Sequence, residues 1–164
     1  MSITEPTKYV TFNLDDEIYA LEIEQVREVL DFTSITKVPQ TPDFMKGVIN
    51  LRGMVVPVVD LKLKFGLKQT KKTMDTRIII TEFIVDGENT VLGAIADSVR
   101  EVIELEPQDI NPAPRIGTRL KTEFIKGMGR KDEEFIIILN IERIFSAEEL
   151  TLIQDVEDQT KERV

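Results

Sequence analysis

Neither cysteine nor histidine occurs in the 164-residue chain, and tryptophan is missing too. The first absence excludes disulfides, thiolate nucleophiles and most zinc sites; the second removes the commonest general base and the commonest metal ligand. Catalysis is left with carboxylates, lysines and hydroxyls, and no spacing isolates a pair of them in an apolar setting. No catalytic residue, metal or other cofactor is therefore expected. No apolar run approaches the ~20 residues of a membrane span. The opening Met1-Ser2-Ile3-Thr4-Glu5-Pro6 has neither the basic start nor the apolar stretch of a signal peptide and reads as a frayed tail. Basic charge is short as well: 21 Lys and Arg face 30 Asp and Glu, a net charge of −9. That balance argues against nucleic acid or an anionic membrane as the main partner, because phosphate binding is driven by clustered cations. Lys62, Lys64, Lys68, Lys71 and Lys72 form the one basic cluster and read as a solvated loop.

What is present is pleated-sheet chemistry. The chain is 41% hydrophobic and 31% charged, the balance of a soluble globular protein, and a chain of this size buries roughly 70% of its unfolded surface. Phe44 to Phe65, FMKGVINLRGMVVPVVDLKLKF, holds two apolar, β-branched runs broken by Arg52-Gly53. It predicts a buried hairpin with one exposed arginine at its tip. A fainter copy, FIKGMGRKDEEFIIILNIERIF, lies 80 residues on, from Phe124 to Phe145, without a gap. Val26-Arg27-Glu28-Val29 recurs as Val99-Arg100-Glu101-Val102 at an offset of 73, and Ile35 to Pro39 matches Ile110 to Pro114 at 75. Growing offsets are what one duplicated unit with loop insertions produces.

In chain order, Tyr9–Leu14 and Ile18–Ile23 alternate around an acidic turn and predict a first hairpin. Val26–Leu30, flanked by strands, reads as a third strand rather than a helical turn, and Pro42–Gly47 as a single helical turn into the central hairpin. Leu61–Gly66 closes the first half, residues 67–76 form an exposed connection, and Arg77–Val85 with Val91–Ala96 replays the opening hairpin across Asp86-Gly87. Ser146 stands three residues before Glu149 as a capping box, so a terminal helix is expected over 147–156, docked by Ile144, Leu150 and Ile153 and frayed from Glu157. The fold expected is all-β: two five-stranded barrels related by a pseudo-twofold, with short helical turns and that helix. Within a single 1–164 unit, 8–66 forms the first barrel half and 77–146 the second.

These motifs, Glu17-Ile18-Tyr19-Ala20-Leu21, Val26-Arg27-Glu28-Val29, Ile35-Thr36-Lys37-Val38-Pro39, the block Phe44 to Gly53 and Pro57-Val58-Val59-Asp60-Leu61, resemble the CheW family of bacterial chemotaxis adaptors over roughly residues 8 to 153. The resemblance implies a pair of SH3-like barrels. It implies a non-catalytic scaffold joining the histidine kinase CheA, through its regulatory domain, to the cytoplasmic tips of methyl-accepting chemoreceptors. The same domain in a non-chemotactic kinase pathway, such as pilus motility or biofilm control, is the alternative. The matching receptor-binding positions are Val26, Glu28, Ile35, Arg52, Val99 and Val102. The valines serve core packing as readily, and Glu28 a solvated strand. Arg52 cannot serve a core, and stands either as a solubilising turn residue or as a forked donor to a partner's oxygens. Asp60, with Asn140 parallel to it, reads as a strand-end turn residue rather than a phospho-acceptor. The kinase side is expected at the loop holding Asn111, Arg115 and Ile116. The family further implies a cytoplasmic protein, monomeric alone, recruited to membrane receptor arrays without inserting into the bilayer.

Overall fold

The structure is a computed structural model that describes residues 5–112 and 120–163, from residue 156 onward by backbone alone. Arg115 and Ile116 lie outside the described residues. The opening hairpin is β1 (Thr7–Leu14) and β2 (Glu17–Glu22), and β3 (Val26–Asp31) is the strand expected from its β-branched, strand-flanked run. The central hairpin is β4 (Met45–Leu51) and β5 (Met54–Asp60), followed by a four-residue helix, α1 (Leu61–Lys64). The second copy follows: β6 (Arg77–Val85), β7 (Glu88–Ala96), β8 (Ser98–Leu105), the two-residue β9 (Ile110–Asn111), β10 (Ile125–Lys131), β11 (Glu134–Leu139) and α2 (Ile141–Ile144). The terminal helix α3 runs Ala147–Arg163.

The strands form two curled sheets, each a half-barrel. One has the order β8-β1-β2-β11-β10-β9, the other β3-β6-β7-β5-β4. The two orders are the same when each strand is replaced by its repeat: β8 stands for β3, β1 for β6, β2 for β7, β11 for β5 and β10 for β4. Even the short β9 has its counterpart, the bridge of Thr36 to Val48 on the edge of β4. The sequence boundary, however, is not the sheet boundary. β1 and β2 leave 8–66 to pair with β8 and, in parallel, with β11; β6 and β7 leave 77–146 to pair with β3 and, in parallel, with β5. The assignment of 8–66 and 77–146 to one barrel each is thereby corrected. Alternation fixes which face a strand buries but not which strand lies beside it, so an exchange of equivalent hairpins leaves no trace in the pattern.

Three apolar clusters result. Ile49, Leu51, Val56, Val58, Ile78, Ile80 and Ile95 fill the five-stranded half-barrel, and Tyr9, Ala20, Ile103, Leu105, Ile136 and Ile138 the other. The largest draws on both sheets and on α1, α2 and α3, and stacks Phe12, Tyr19, Phe65 and Phe124 in succession at centroid separations of 5.9–6.1 Å. The exchanged hairpins therefore share one continuous core, which makes the halves a single cooperative body. The offset of 80 holds in detail: each central hairpin has its register shift at the Lys-Gly step. In each, the backbone N–H after β5 or β11 reaches back to the first phenylalanine: Asp60 to Phe44 at 2.7 Å, Asn140 to Phe124 at 2.8 Å.

Local expectations fared unevenly. Pro42–Gly47 is not a helical turn: the Met45 N–H returns to the Pro42 carbonyl at 2.9 Å, and β4 starts at once. Pairing with β5 outweighs the Pro-to-Gly helix signal. The capping box at α3 forms, with the Glu149 N–H donating to Ser146 Oγ (3.1 Å) and the Ser146 N–H to Glu149 Oε1 (2.8 Å). Ile144, Leu150 and Ile153 are buried beneath it. The helix continues past residue 156, since Glu, Asp, Gln, Lys and Arg without Gly or Pro give it no stop.

Candidate functional site

β3 and β4 are the outer strands of the five-stranded half-barrel, β4 covered at Val48 by the Thr36 bridge, and its curl brings them together. Arg52, at the β4–β5 turn, donates from Nη1 to Glu28 Oε1 of β3 at 3.1 Å and from Nη2 to Oε2 in a second, shorter bond. This bidentate pair closes the mouth of the half-barrel. Arg52 side-chain exposure is 68% and that of Glu28 28%, so the guanidinium stands out into solvent while its carboxylate partner orients it. The Arg52 hydrogen bonds hold the Glu28 carboxyl below its ordinary range against the smaller effect of burial. Arg52 pays with backbone strain, at φ 50° beside Gly53 at 87°. The turn is fastened by the Gly53 N–H donating to Asn50 Oδ1 at 2.8 Å.

The other receptor-site candidates fall into three places. Ile35 lies against Gly47 on the β4 edge, in the segment that crosses from β3 to β4. Val26 and Val99, equivalent in the two repeats, are partly buried against the large shared core. Val102 is 53% exposed on β8, the edge of the other sheet. Glu28 and Arg52 thus meet at the hairpin tip, Ile35 lies farther along β4 at Gly47, and Val102 belongs to the other sheet. Of the kinase-side residues, Asn111 is exposed at the end of β9, paired opposite Met128.

Two lysines expected in a solvated loop are locked instead. Lys62 on α1 is buried, its Nζ 2.6 Å from Asp15 Oδ1 and 3.2 Å from Asp97 Oδ2. Burial works to lower the pKa of this ammonium, but the bonds to Asp15 and Asp97 and their charges outweigh it and raise it above the usual 10.5. Asp15 belongs to the β1–β2 turn and Asp97 joins β7 to β8, so one cation ties the exchanged hairpins to the first copy. Lys64 pairs with Glu149 at 2.9 Å and lies over the Phe44 and Phe124 rings at 5.3 and 5.6 Å. Burial pushes the Glu149 carboxyl up, yet the Ser146 N–H and the Lys64 ammonium together hold it down. Lys62 and Lys64 stand two residues apart on α1 and so point to different sides of it, each meeting its own acidic partner, which loop composition does not reveal.

Asp60, fully buried, accepts from the Lys62 N–H (3.1 Å), the Thr70 N–H (2.9 Å) and the Thr70 hydroxyl (2.8 Å). It caps α1 and pins the following loop, in keeping with a strand-end turn role. Among the described residues no three or more acidic side chains are grouped to hold a metal ion, and no helix is long and apolar enough to cross a membrane.

An all-β body of two interlocked half-barrels, with its oriented charges at strand edges and a hairpin tip, is built as a protein-binding module. The CheW-like domain matches residues 8–149, and the chain belongs to that family. It is 36% identical to the chemotaxis protein CheW of Klebsiella aerogenes over 91% of this chain and 87% of the relative. The corresponding figures for CheW of Helicobacter pylori are 34%, 85% and 82%. The crystal structure of the scaffolding protein TtCheW from Thermoanaerobacter tengcongensis matches with a TM-score of 0.76 and 42% identity, over 88% of this chain and 90% of that one.

Proposed function

We propose that this chain is a non-catalytic scaffold that couples chemoreceptor tips to the regulatory domain of the histidine kinase CheA. The observation that carries the reading is the Glu28–Arg52 pair, which holds a mostly exposed guanidinium at the rim of a half-barrel next to the partly buried Met54, with Ile35 farther down the β4 edge. A charged, oriented donor beside apolar surface fits an anchor for a helical partner's carboxylates or carbonyl ends. Val26, Val99 and Val102 extend the receptor face toward the second sheet; Asn111, Arg115 and Ile116 belong to the kinase side. The protein works in the cytoplasm, monomeric alone, and is drawn to membrane arrays by its partners. The names of the relatives favour chemotaxis over pilus or biofilm pathways.

The test is receptor-tip affinity of Arg52→Glu beside its unfolding curve. The exposed side chain can change without disturbing the core, so the midpoint should move by no more than about 2 °C. Receptor affinity should fall roughly thirtyfold as a charge-assisted contact becomes a repulsion. The exchange Glu28→Arg/Arg52→Glu restores the internal pair but not the donor at the tip, and should stay weak. Leu51→Asp, which places a charge in a buried position, should unfold the protein instead. Wild-type receptor affinity for Arg52→Glu would remove Arg52 from the interface.

A further inference from the structure

Beside Asp60 lies an open groove of about 830 Å³ whose lining includes Lys37, Lys46, Lys68, Lys71 and Lys72, with Phe32, Ile35 and Ile95 as its apolar part. Five ammonium groups meet there in a chain of net charge −9. Asp60 supplies the one carboxylate of the lining, and its oxygens are occupied by Thr70 and the Lys62 N–H. Among the described residues none of the five lysines is ion-paired, whereas Lys62, Lys64 and Lys126 elsewhere are. The loop that carries three of them is not slack. Its backbone is pinned at Leu67, whose N–H donates to the Lys62 carbonyl (2.8 Å), at Thr70 by Asp60, and at Thr73, whose N–H donates to Thr76 Oγ1 (2.8 Å). Phe32 is held beneath Lys72, whose Nζ is 5.3 Å from the ring centroid. A loop that ordering has fixed, with its cations left without a carboxylate partner, keeps like charges together at a cost that a negative partner would relieve.

We propose that this groove docks an acidic peptide segment of a partner protein, with carboxylates on the lysine rim and an aliphatic or aromatic side chain set on Phe32, Ile35 and Ile95. The cations come from three separate segments, 35–37, β4 and the 67–72 loop, so they are distributed along the groove. A row of carboxylates spaced on a backbone matches that distribution. A single phosphate group does not, and the 67–72 loop has no glycine with which to wrap one. The lysines also confer the adaptable point charges of a peptide site rather than the rigid fork that planar anions favour.

The experiment titrates the isotope-labelled full chain with a short synthetic peptide alternating Glu with Leu and Phe. Saturable shifts of the amides of Phe32, Ile35, Thr70 and Lys72 are expected, weakening as salt rises from about 50 to about 300 mM. Lys68→Ala/Lys71→Ala/Lys72→Ala should weaken binding at least about tenfold, and Phe32→Ala several-fold, with unfolding midpoints checked for both. A control change at the exposed Arg143 should leave it unaltered. A Gln-for-Glu peptide binding equally well would overturn the proposal, as would an unaffected triple variant or no saturation by about 1 mM. So would tripolyphosphate displacing the peptide with no dependence on Phe32, which would make the groove a simple polyanion site.

Discussion

The two central hairpins, β4–β5 and β10–β11, share a register shift, a backbone bond to the leading phenylalanine and a short following helix, yet they end differently. One tip is Arg52-Gly53, bonded to Glu28 and fastened by Asn50; the other is Asp132-Glu133. Glu101 is the repeat of Glu28, so an acidic tip has no cation to meet there, and that sheet instead draws Arg100 of β8 to Glu134 of β11 at 3.5 Å. Asp60 caps its helix, while Asn140 makes no side-chain cap. Lys62 is buried between two aspartates where Glu142 is exposed and accepts from Gln25 Nε2. What the copies share closes a half-barrel. What separates them is charge at the rim and behind α1, which concentrates oriented cations in the first copy.

The comparison can be broken hardest at the shared Lys-Gly step. A Cβ on Gly47 would stand 2.0 Å from the Thr36 carbonyl oxygen, at φ 142°, because the 35–38 segment pairs directly with β4. A Cβ on Gly127 would meet the Ile110 Cγ2 at 2.7 Å and the Asn111 carbonyl oxygen at 3.2 Å, so its nearest contact is a side chain and the backbone oxygen stands farther off than at Gly47. Gly47→Ala should therefore cost more than about 3 kcal/mol and Gly127→Ala about 1–2 kcal/mol, as read by denaturant unfolding. Equal losses would mean that the edge of β4 is no more tightly closed than that of β10.

Next in size is the lock behind α1. Lys62→Ala leaves Asp15 and Asp97 facing each other without their cation and should cost about 3 kcal/mol. Glu142→Ala at the equivalent place should stay within about 0.5 kcal/mol. Because the Lys62 pKa is raised in the folded state, its contribution is complete below the ordinary value of 10.5 and disappears as pH rises through the folded value. The gap between wild type and Lys62→Ala should close only in that alkaline range, which unfolding curves across pH would show.

Much of this was legible in the chain. The β-branched runs around Arg52-Gly53, the gapless repeat and the Ser146–Glu149 box fixed strands, duplication and the helix start, because each is a local pattern. Arg52 stood out because no core could use it. Its partner did not, since Glu28 lies 24 residues away on a strand whose neighbour depends on sheet curl. The exchange of β1–β2 with β6–β7 was invisible for a related reason: the exchanged pieces are repeats of one another, and either assignment buries the same kinds of residue. The lysine cluster misled because composition describes a loop's average surroundings. It does not register that Asp60 pins Thr70, or that a helical turn carries Lys62 inward.

The smallest expected effect sharpens the contrast between the tips themselves. Asp132 and Glu133 sit at φ 50° and 67°, a left-handed pair that only the aspartate tolerates well, while the first copy has Gly53 at the equivalent second place. Glu133→Gly removes the strain on a long side chain but adds freedom to the unfolded chain. The first effect outweighs the second, so the variant should be more stable by about 0.5 kcal/mol. Gly53→Ala introduces at φ 87° the strain that Glu133 already bears, with open space around the new Cβ, and should cost about 1 kcal/mol. Opposite signs from the two substitutions, measured by denaturant unfolding, would show that the first tip is the better turn and can hold Arg52 in a strained place. A loss of stability in Glu133→Gly would show instead that the acidic tip is stabilised by something its backbone angles do not reveal.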